Sequence, residues 1–295
     1  MTIDTPETAD ESSPVNNHAL VTIITREIDA WAMWLRAANR SPETIALRTY
    51  HVRRAMTDIG VDPFGLTTDH LVEYLGSQPW KASTKRSYRA SLRAFYVWAQ
   101  ATGRRADNPA ALTPDITVPR SLPRPVPEAV LRDAVAIADD RVRLMLLLAA
   151  TCGLRRGELA RARREDIFHD LTGYSLVVHG KGAKERLVPL PDGLAGILKP
   201  LPEGYLFTSQ AWGREGRPLS PARVGELVSE VLPQGWTCHT LRHRCATVAY
   251  AATKDLRAVQ ELLGHSKPET TMVYTLIQPE SVRAAVLTTG IGFVA

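Results

Sequence analysis

The sequence predicts a mainly α-helical chain of two domains, the second carrying one small antiparallel β-sheet. Three observations lead there. Apolar residues recur at helical spacing through both halves, a proline-dense stretch separates the halves, and a single hairpin pattern lies in the second. The length of 295 residues fits two domains of roughly 100 to 200 residues, each able to bury a core.

Residues 1–19 hold Asp4, Glu7, Asp10 and Glu11 with no Lys or Arg, among several Ser, Thr and Pro, and read as a disordered acidic tail. Residues 20–106 read as a helical domain. Helix Ile23–Ala38 brings Ile28, Trp31, Trp34 and Leu35 into a stripe. Helix Pro42–Ile59 follows Ser41 as N-cap, with Pro42 suited to the first turn. Thr68–Gly76 follows a cap at Thr67 or Thr68, and Ser83–Thr102 closes the domain. From 107 to 126, prolines 109, 114, 119, 123 and 125, with Pro127 just beyond, lack N–H donors and lock φ, so the stretch reads as an interdomain linker.

The second domain, 127–295, opens with helix Pro127–Ala138 and a mostly buried helix Arg141–Thr151. Strands Ser175–His179 and Arg186–Pro189 flank the turn-prone Gly180–Glu185. Helices follow at Pro221–Leu232, Thr240–Ala252, Leu256–Leu263, Pro268–Thr275 and Pro279–Leu287.

Composition excludes several function classes. With 44% hydrophobic and 23% charged residues, the chain is globular rather than disordered or fibrous. Its longest apolar run, Leu144–Ala150, falls far short of the roughly 18 residues a membrane helix needs. No basic-plus-apolar leader opens the sequence, so a cytoplasmic protein without a membrane partner is expected. Cys152, Cys238 and Cys245 form no CxxC pair, which indicates neither a disulfide framework nor a zinc knuckle.

The net charge is +5, and beyond the tail 36 basic residues face 27 acidic ones. From Gly76 to Arg105, Lys81, Lys85, Arg86, Arg89, Arg93, Arg104 and Arg105 occur without one acid. This resembles a phosphate-binding face, against the alternative of a solvated helix surface, which usually carries both signs. Lys81, Lys85, Arg86 and Arg89 are the candidate nucleic-acid phosphate contacts.

Four clusters in the second domain carry chemistry. In Thr151–Leu159 a glycine breaks a buried helix and the next begins beside Arg155, placing a guanidinium near backbone N–H groups, an anion site; the alternative is an interdomain Arg155–Glu158 salt bridge. In Gly180–Arg186 flexible glycines would let Lys181 reach a phosphate, although basic hairpin tips are common and the spacing is not that of a P-loop. In His239–Thr247, His239 and Arg242 share a helix face. Cys238, His239, His243 and Cys245 suggest a metal, but an adjacent Cys–His pair with an off-face Cys fits tetrahedral zinc poorly, so no metal is expected. The last cluster is Leu262–His265 with Thr270–Tyr274, where His265 alone reads as a helix-end histidine and Tyr274 as a half-buried core tyrosine.

Together, Gly-Leu-Arg-x-x-Glu-Leu at 153–159, Gly-Lys-Gly-x-Lys-Glu-Arg at 180–186, His-x-Leu-Arg-His at 239–243, Leu-Gly-His at 263–265 and a tyrosine nine residues later resemble the tyrosine recombinases, or phage integrase family, which includes the Xer-type resolvases. The resemblance covers nearly the whole chain. It implies a two-domain DNA clamp, with a helical core-binding domain at 20–106 and an α+β catalytic domain at 127–295.

It further implies a site-specific DNA recombinase with Tyr274 as nucleophile, forming a 3′-phosphotyrosyl link and freeing a 5′-hydroxyl. Arg155, Arg242 and His265 would stabilise charge on the phosphate oxygens. Lys181 would protonate the leaving oxygen, His239 would take the tyrosine proton, and Glu158 would orient Arg155. No cofactor is implied, because the phosphotyrosine conserves the bond energy. The partners implied are double-stranded core or crossover sites, a homotetramer on DNA from a monomer or weak dimer in solution, and a possible directionality factor. The apolar tail Ser281–Ala295 would dock on a neighbouring protomer or on its own domain. With no arm-binding domain in the 19-residue extension, a compact phage-type integrase is the favoured subtype and a Xer-type resolvase the alternative. A strand-nicking type IB topoisomerase and a silent DNA-binding protein are the remaining readings.

Overall fold

A computed structural model of the chain describes residues 17–119, 122–180, 184–264 and 271–272. The chain divides into two compact units, Met1–Arg120 and Ser121–Ala295.

The described first unit contains α1 (Asn17–Ala37), α2 (Pro42–Ile59), α3 (Thr68–Ser77) and α4 (Ala82–Ala101). Its helix ends are written locally. The Ser41 hydroxyl accepts from the Thr44 N–H, Pro42 occupies the first turn, and Gly60 closes α2 in the left-handed region at φ 75°. Thr67 and His70 cap α3 reciprocally. The four helices bury Ile28, Trp31, Val52, Met56, Leu71, Leu92 and Phe95, with Trp31 and Phe95 meeting edge to face at 5.3 Å. Cutting either aromatic to alanine would cost about 3–5 kcal/mol in lost burial and cavity. Trp34 departs from the expected stripe and is 50% exposed. Six residues beyond Ile28, it points away from the face shared by positions 28, 31 and 35.

The first part of the proline-rich stretch packs on this unit. Ala110 and Thr113 are buried, the Thr68 hydroxyl donates to the Pro109 carbonyl at 2.8 Å, and Arg89 donates to the Thr113 carbonyl from Nη2 at 2.6 Å and from Nε at 3.1 Å. Prolines forbid regular structure there, yet they leave carbonyl oxygens that the helices can bind.

The second unit contains α5 (Glu128–Ile137), α6 (Asp140–Thr151), α7 (Arg156–Leu159), β1 (Ile167–His169), β2 (Tyr174–His179), β3 (Glu185–Leu190), α8 (Asp192–Leu198), α9 (Pro221–Val231), α10 (Cys238–Thr253) and α11 (Leu256–Leu263). The sheet is antiparallel in the order β1-β2-β3, with Leu176 opposite Val188 and His179 opposite Glu185. Alternate residues Leu176, Val178, Val188 and Leu190 face the core. Helix α6, capped by Asp139, is buried at Val142, Leu144, Met145, Leu146, Leu148, Ala149 and Ala150 and packs along α10.

Among the described residues, strand β1 and helix α8 were not expected. Strand β1 is three residues long, too short for alternation to show, and α8 holds Gly193 and Gly196, whose low helix propensity masks its buried Leu194, Ala195 and Leu198. The helices expected at Pro268–Thr275 and Pro279–Leu287 lie outside the described residues, apart from helical Thr271 and Met272. No described helix is long and apolar enough to cross a membrane.

Candidate active site

The site begins where α6 stops. Gly153 turns the chain at φ 65°, and a Cβ there would lie 2.8 Å from the Leu263 side chain and 3.2 Å from the Cys245 sulfur. Only glycine fits a left-handed residue at so close an approach. Leu154 then buries fully, and Arg155 enters α7 with its side chain 42% exposed.

The N-terminal end of α7 is filled by Glu158, whose Oε2 accepts from the Arg155 backbone N–H at 2.9 Å and whose Oε1 accepts from Arg155 Nη1 at 2.6 Å. The Arg155–Glu158 salt bridge therefore exists, but within this unit rather than between domains, because the two residues lie on one helical turn. It ties up one edge of Arg155, whose other guanidinium donors carry no hydrogen bond among the described residues.

Helix α10 supplies Arg242 and His239. Arg242 is 2% exposed and donates from Nη1 to the Gly153 carbonyl and from Nη2 to the Leu263 carbonyl, both at 2.5 Å. Its Nη1 also lies 3.7 Å from Glu158 Oε2. One turn apart on the same face, the rings of His239 and His243 meet edge to face at 4.3 Å. Burial lowers the pKa of His239, and the nearby charges of Arg242 and Arg155 lower it further. Burial, His239 and Arg242 push His243 down to about 4. Both imidazoles are neutral at pH 7, the state in which a histidine accepts a proton.

The hairpin β2–β3 is fixed at its base. His179 bonds Asp166 through Nε2 and Glu185 through Nδ1, each at 3.0 Å, and the Asp166 hydrogen bond, opposed by desolvation, raises the His179 pKa. The Gly180 N–H donates to the Lys184 carbonyl at 2.7 Å.

From β3, Arg186 reaches into the site. It donates from Nη1 and Nη2 to the two oxygens of Glu158 at 2.9 and 2.8 Å and from Nε to the Leu262 carbonyl at 2.8 Å. The α11 end closes over it at Gly264, φ 61°, where a Cβ would lie 2.9 Å from Arg186 Cδ.

Glu158, its side chain 2% exposed, is thus a hub for Arg155, Arg186 and Arg242. Burial alone would raise its carboxyl pKa, but the Arg186 hydrogen bonds and charge, with the Arg155 N–H and charge, outweigh burial and hold it at about 2. Three guanidinium groups around one carboxylate leave a net positive cluster, suited to an anion.

The fold therefore gathers Arg155, Glu158, His239 and Arg242 from segments far apart in sequence. Lys181, His265 and Tyr274 lie outside the described residues. Sequence reasoning gave Arg186 no role; its only signal was its place in the hairpin motif. Among the described residues no cluster of three or more His, Cys, Asp or Glu could hold a metal ion.

On the helical unit, Lys81 and Arg86 are exposed and Lys85, half-buried, donates to the Gly76 carbonyl at 3.3 Å. Arg89 differs: its side chain is 12% exposed and is held by Thr113 and by Asp115 at 2.6 Å.

The sequence pattern described as the phage integrase family matches residues 126–281. The chain belongs to that family. The tyrosine recombinase XerA of Thermococcus kodakarensis is 31% identical over 270 residues, covering 88% of this chain and 93% of that protein. The tyrosine recombinase XerC of Methylobacterium nodulans is 35% identical over 225 residues, 66% of this chain and 67% of that one. With such relatives across most of its length, the chain is a tyrosine recombinase.

Two solved structures share its fold. One is the XerH site-specific recombinase bound to its difH substrate (TM-score 0.65, 19% identity, 94% of this chain and 97% of that one). The other is a lambda integrase dimer bound to a COC′ core site (TM-score 0.67, 19% identity, 83% and 95%).

Proposed function

We propose that this recombinase cuts and rejoins double-stranded DNA at paired crossover sites, with Tyr274 as nucleophile. The tyrosine oxygen attacks the scissile phosphorus, a P–O bond forms to the protein and the P–O5′ bond breaks. His239 takes the phenolic proton, and Lys181 protonates the departing 5′ oxygen. Arg155, Arg242 and His265 hold the phosphate as negative charge grows on its non-bridging oxygens. Attack by a 5′-hydroxyl from the second site reverses the step and releases the tyrosine, so the exchange proceeds without ATP.

The single observation that carries this reading is the cluster of Arg155, Arg186 and Arg242 around Glu158 with neutral His239 beside it. It combines anion affinity with a proton acceptor. Lys81, Lys85 and Arg86 are proposed to contact DNA phosphates, and Arg89 to brace residues 113–115 instead. Assembly is proposed to be a homotetramer on DNA, as in the lambda integrase tetramer bound to a Holliday junction, a structure of the same fold.

The subtype proposed is a compact integrase acting at core sites alone, with a directionality factor as its partner. One observation favours a Xer-type resolvase: relatives bearing that name match about nine-tenths of this chain and of their own length.

The test is incubation with nicked duplexes tiled across the DNA flanking the gene and across the chromosome's replication terminus, followed by denaturing electrophoresis. Wild type should give a protein–DNA adduct that Tyr274→Phe does not, while the variant keeps specific binding. Adduct formation by Tyr274→Phe would reject the nucleophile. A trapped site beside the gene supports the integrase, and one at the terminus supports the resolvase.

A further inference from the structure

We infer that Arg186 is a positioning residue for the phosphate-binding Arg155, acting through Glu158; this rests on the recombinase reading above. An ionised carboxylate offers about four acceptor sites. Glu158 uses them on the Arg155 N–H, Arg155 Nη1, Arg186 Nη1 and Arg186 Nη2. Because Arg186 takes a lone pair from both oxygens, Arg155 is left a single side-chain bond to Oε1.

Arg155 and Glu158 lie three residues apart on one short helical turn, so the carboxylate is within easy reach of a two-bonded grip on Arg155. On the second oxygen, Arg186 Nη2 shares the acceptor sites with the Arg155 backbone N–H and leaves none for the Arg155 side chain. Arg155 therefore keeps a half-exposed guanidinium whose other donors carry no hydrogen bond among the described residues.

Arg186 can hold this position because it is itself fixed at three places. Its backbone lies in β3 opposite Val178, its Nε is bonded to the last turn of α11 at Leu262, and Gly264 packs against its Cδ. It is 11% exposed. The bonds to Glu158 and Leu262 span 28 and 76 residues of sequence. The same side chain thus joins the Arg155 turn, the hairpin and the helix that ends at the Leu-Gly-His motif.

The test is a double-mutant cycle in single-turnover cleavage. The probe is a pool of nicked duplexes with a randomised core, from which the wild-type protein first selects its covalently trapped sequences. Arg186→Met should slow cleavage by about 10- to 100-fold while changing affinity for the trapped duplex by less than about threefold, because the loss is one of alignment rather than of binding. In a Glu158→Gln background, which has no carboxylate to close on Arg155, the same Arg186→Met change should slow cleavage by only about twofold. A purely structural Arg186 would give an equal or larger loss in that background, and this result would overturn the inference.

Should Arg186→Met fail to fold, Arg186→Lys keeps the charge but cannot bond both oxygens. It should melt near wild type yet cleave at least about fivefold slower. Wild-type cleavage by Arg186→Lys would equally overturn the proposal. If wild-type protein traps no duplex from the pool in a Tyr274-dependent way, the recombinase reading itself fails. A normal wild-type adduct with an unaffected Arg186→Lys rejects only the positioning role.

Discussion

Arg242 Nη1 donates to the Gly153 carbonyl at 2.5 Å, joining α10 to a turn 89 residues earlier in the chain. Gly153 is left-handed at φ 65°, and the turn leaves no room for a side chain between Leu263 and the Cys245 sulfur. One glycine therefore turns the chain two residues before Arg155 and supplies a carbonyl that Arg242 binds.

Gly153→Ala is predicted to destabilise the second unit by about 2–4 kcal/mol, from the left-handed backbone and the steric overlap together. Cleavage should fall further than stability explains, since both arginines shift. Thermal unfolding alongside single-turnover cleavage at a temperature where the variant is still folded checks this, and an unchanged cleavage rate would refute it.

The pH dependence of cleavage follows from His239. Its pKa lies below the ordinary 6.5 because it is buried beside Arg242 and Arg155. A base works when neutral, so activity is predicted to persist as pH falls through 6.5 and to decline only at lower pH. Single-turnover rates from pH 4.5 to 8 should give an acid midpoint below 6.5. A midpoint above that value would be inconsistent with the proposed role.

Glu158 gives a separate prediction for stability. Its carboxyl is held at about 2 in the fold against an ordinary 4.5. Its contribution is fully present above 4.5 and is lost as pH falls toward 2. The stability advantage of wild type over Glu158→Gln should therefore shrink by about 2 kcal/mol between pH 5 and pH 3. Denaturant titrations of both proteins across that range measure it, and a constant difference would show that the pairing is not electrostatic.

Lys85, Arg86 and Arg89 are all basic and lie within five residues of α4, yet they should behave differently. Lys85→Ala and Arg86→Ala are each predicted to reduce the slope of log affinity against log salt by about one. Arg89→Ala should leave that slope unchanged and instead lower the stability of the helical unit by about 1–2 kcal/mol, because it loses hydrogen bonds to Thr113. Binding isotherms at several salt concentrations, with melting curves, separate the two roles.

Much of the helical layout was legible because it is written locally. Ser41, Pro42 and Gly60 mark both ends of α2 within the helix's own sequence, and the apolar spacing of Ile28, Trp31 and Leu35 identifies the buried side of α1. The same reasoning assigned Trp34 to that side, because a stripe read from sequence has no sharp edge until neighbours cover part of it. Strand β1 and helix α8 were missed where three residues or two glycines leave too weak a local signal.

By itself, the sequence determined the family and the mainly helical two-domain plan, since motif spacing and helix caps act over a few residues. Only the tertiary structure decided which of the basic side chains are available. Arg89 is taken by Thr113 and Asp115, some two dozen residues along the chain. Arg186 is taken by Glu158 and Leu262, 28 and 76 residues away. A guanidinium bonds whichever acceptor the fold brings within about 3 Å, and no pattern along the chain records that distance.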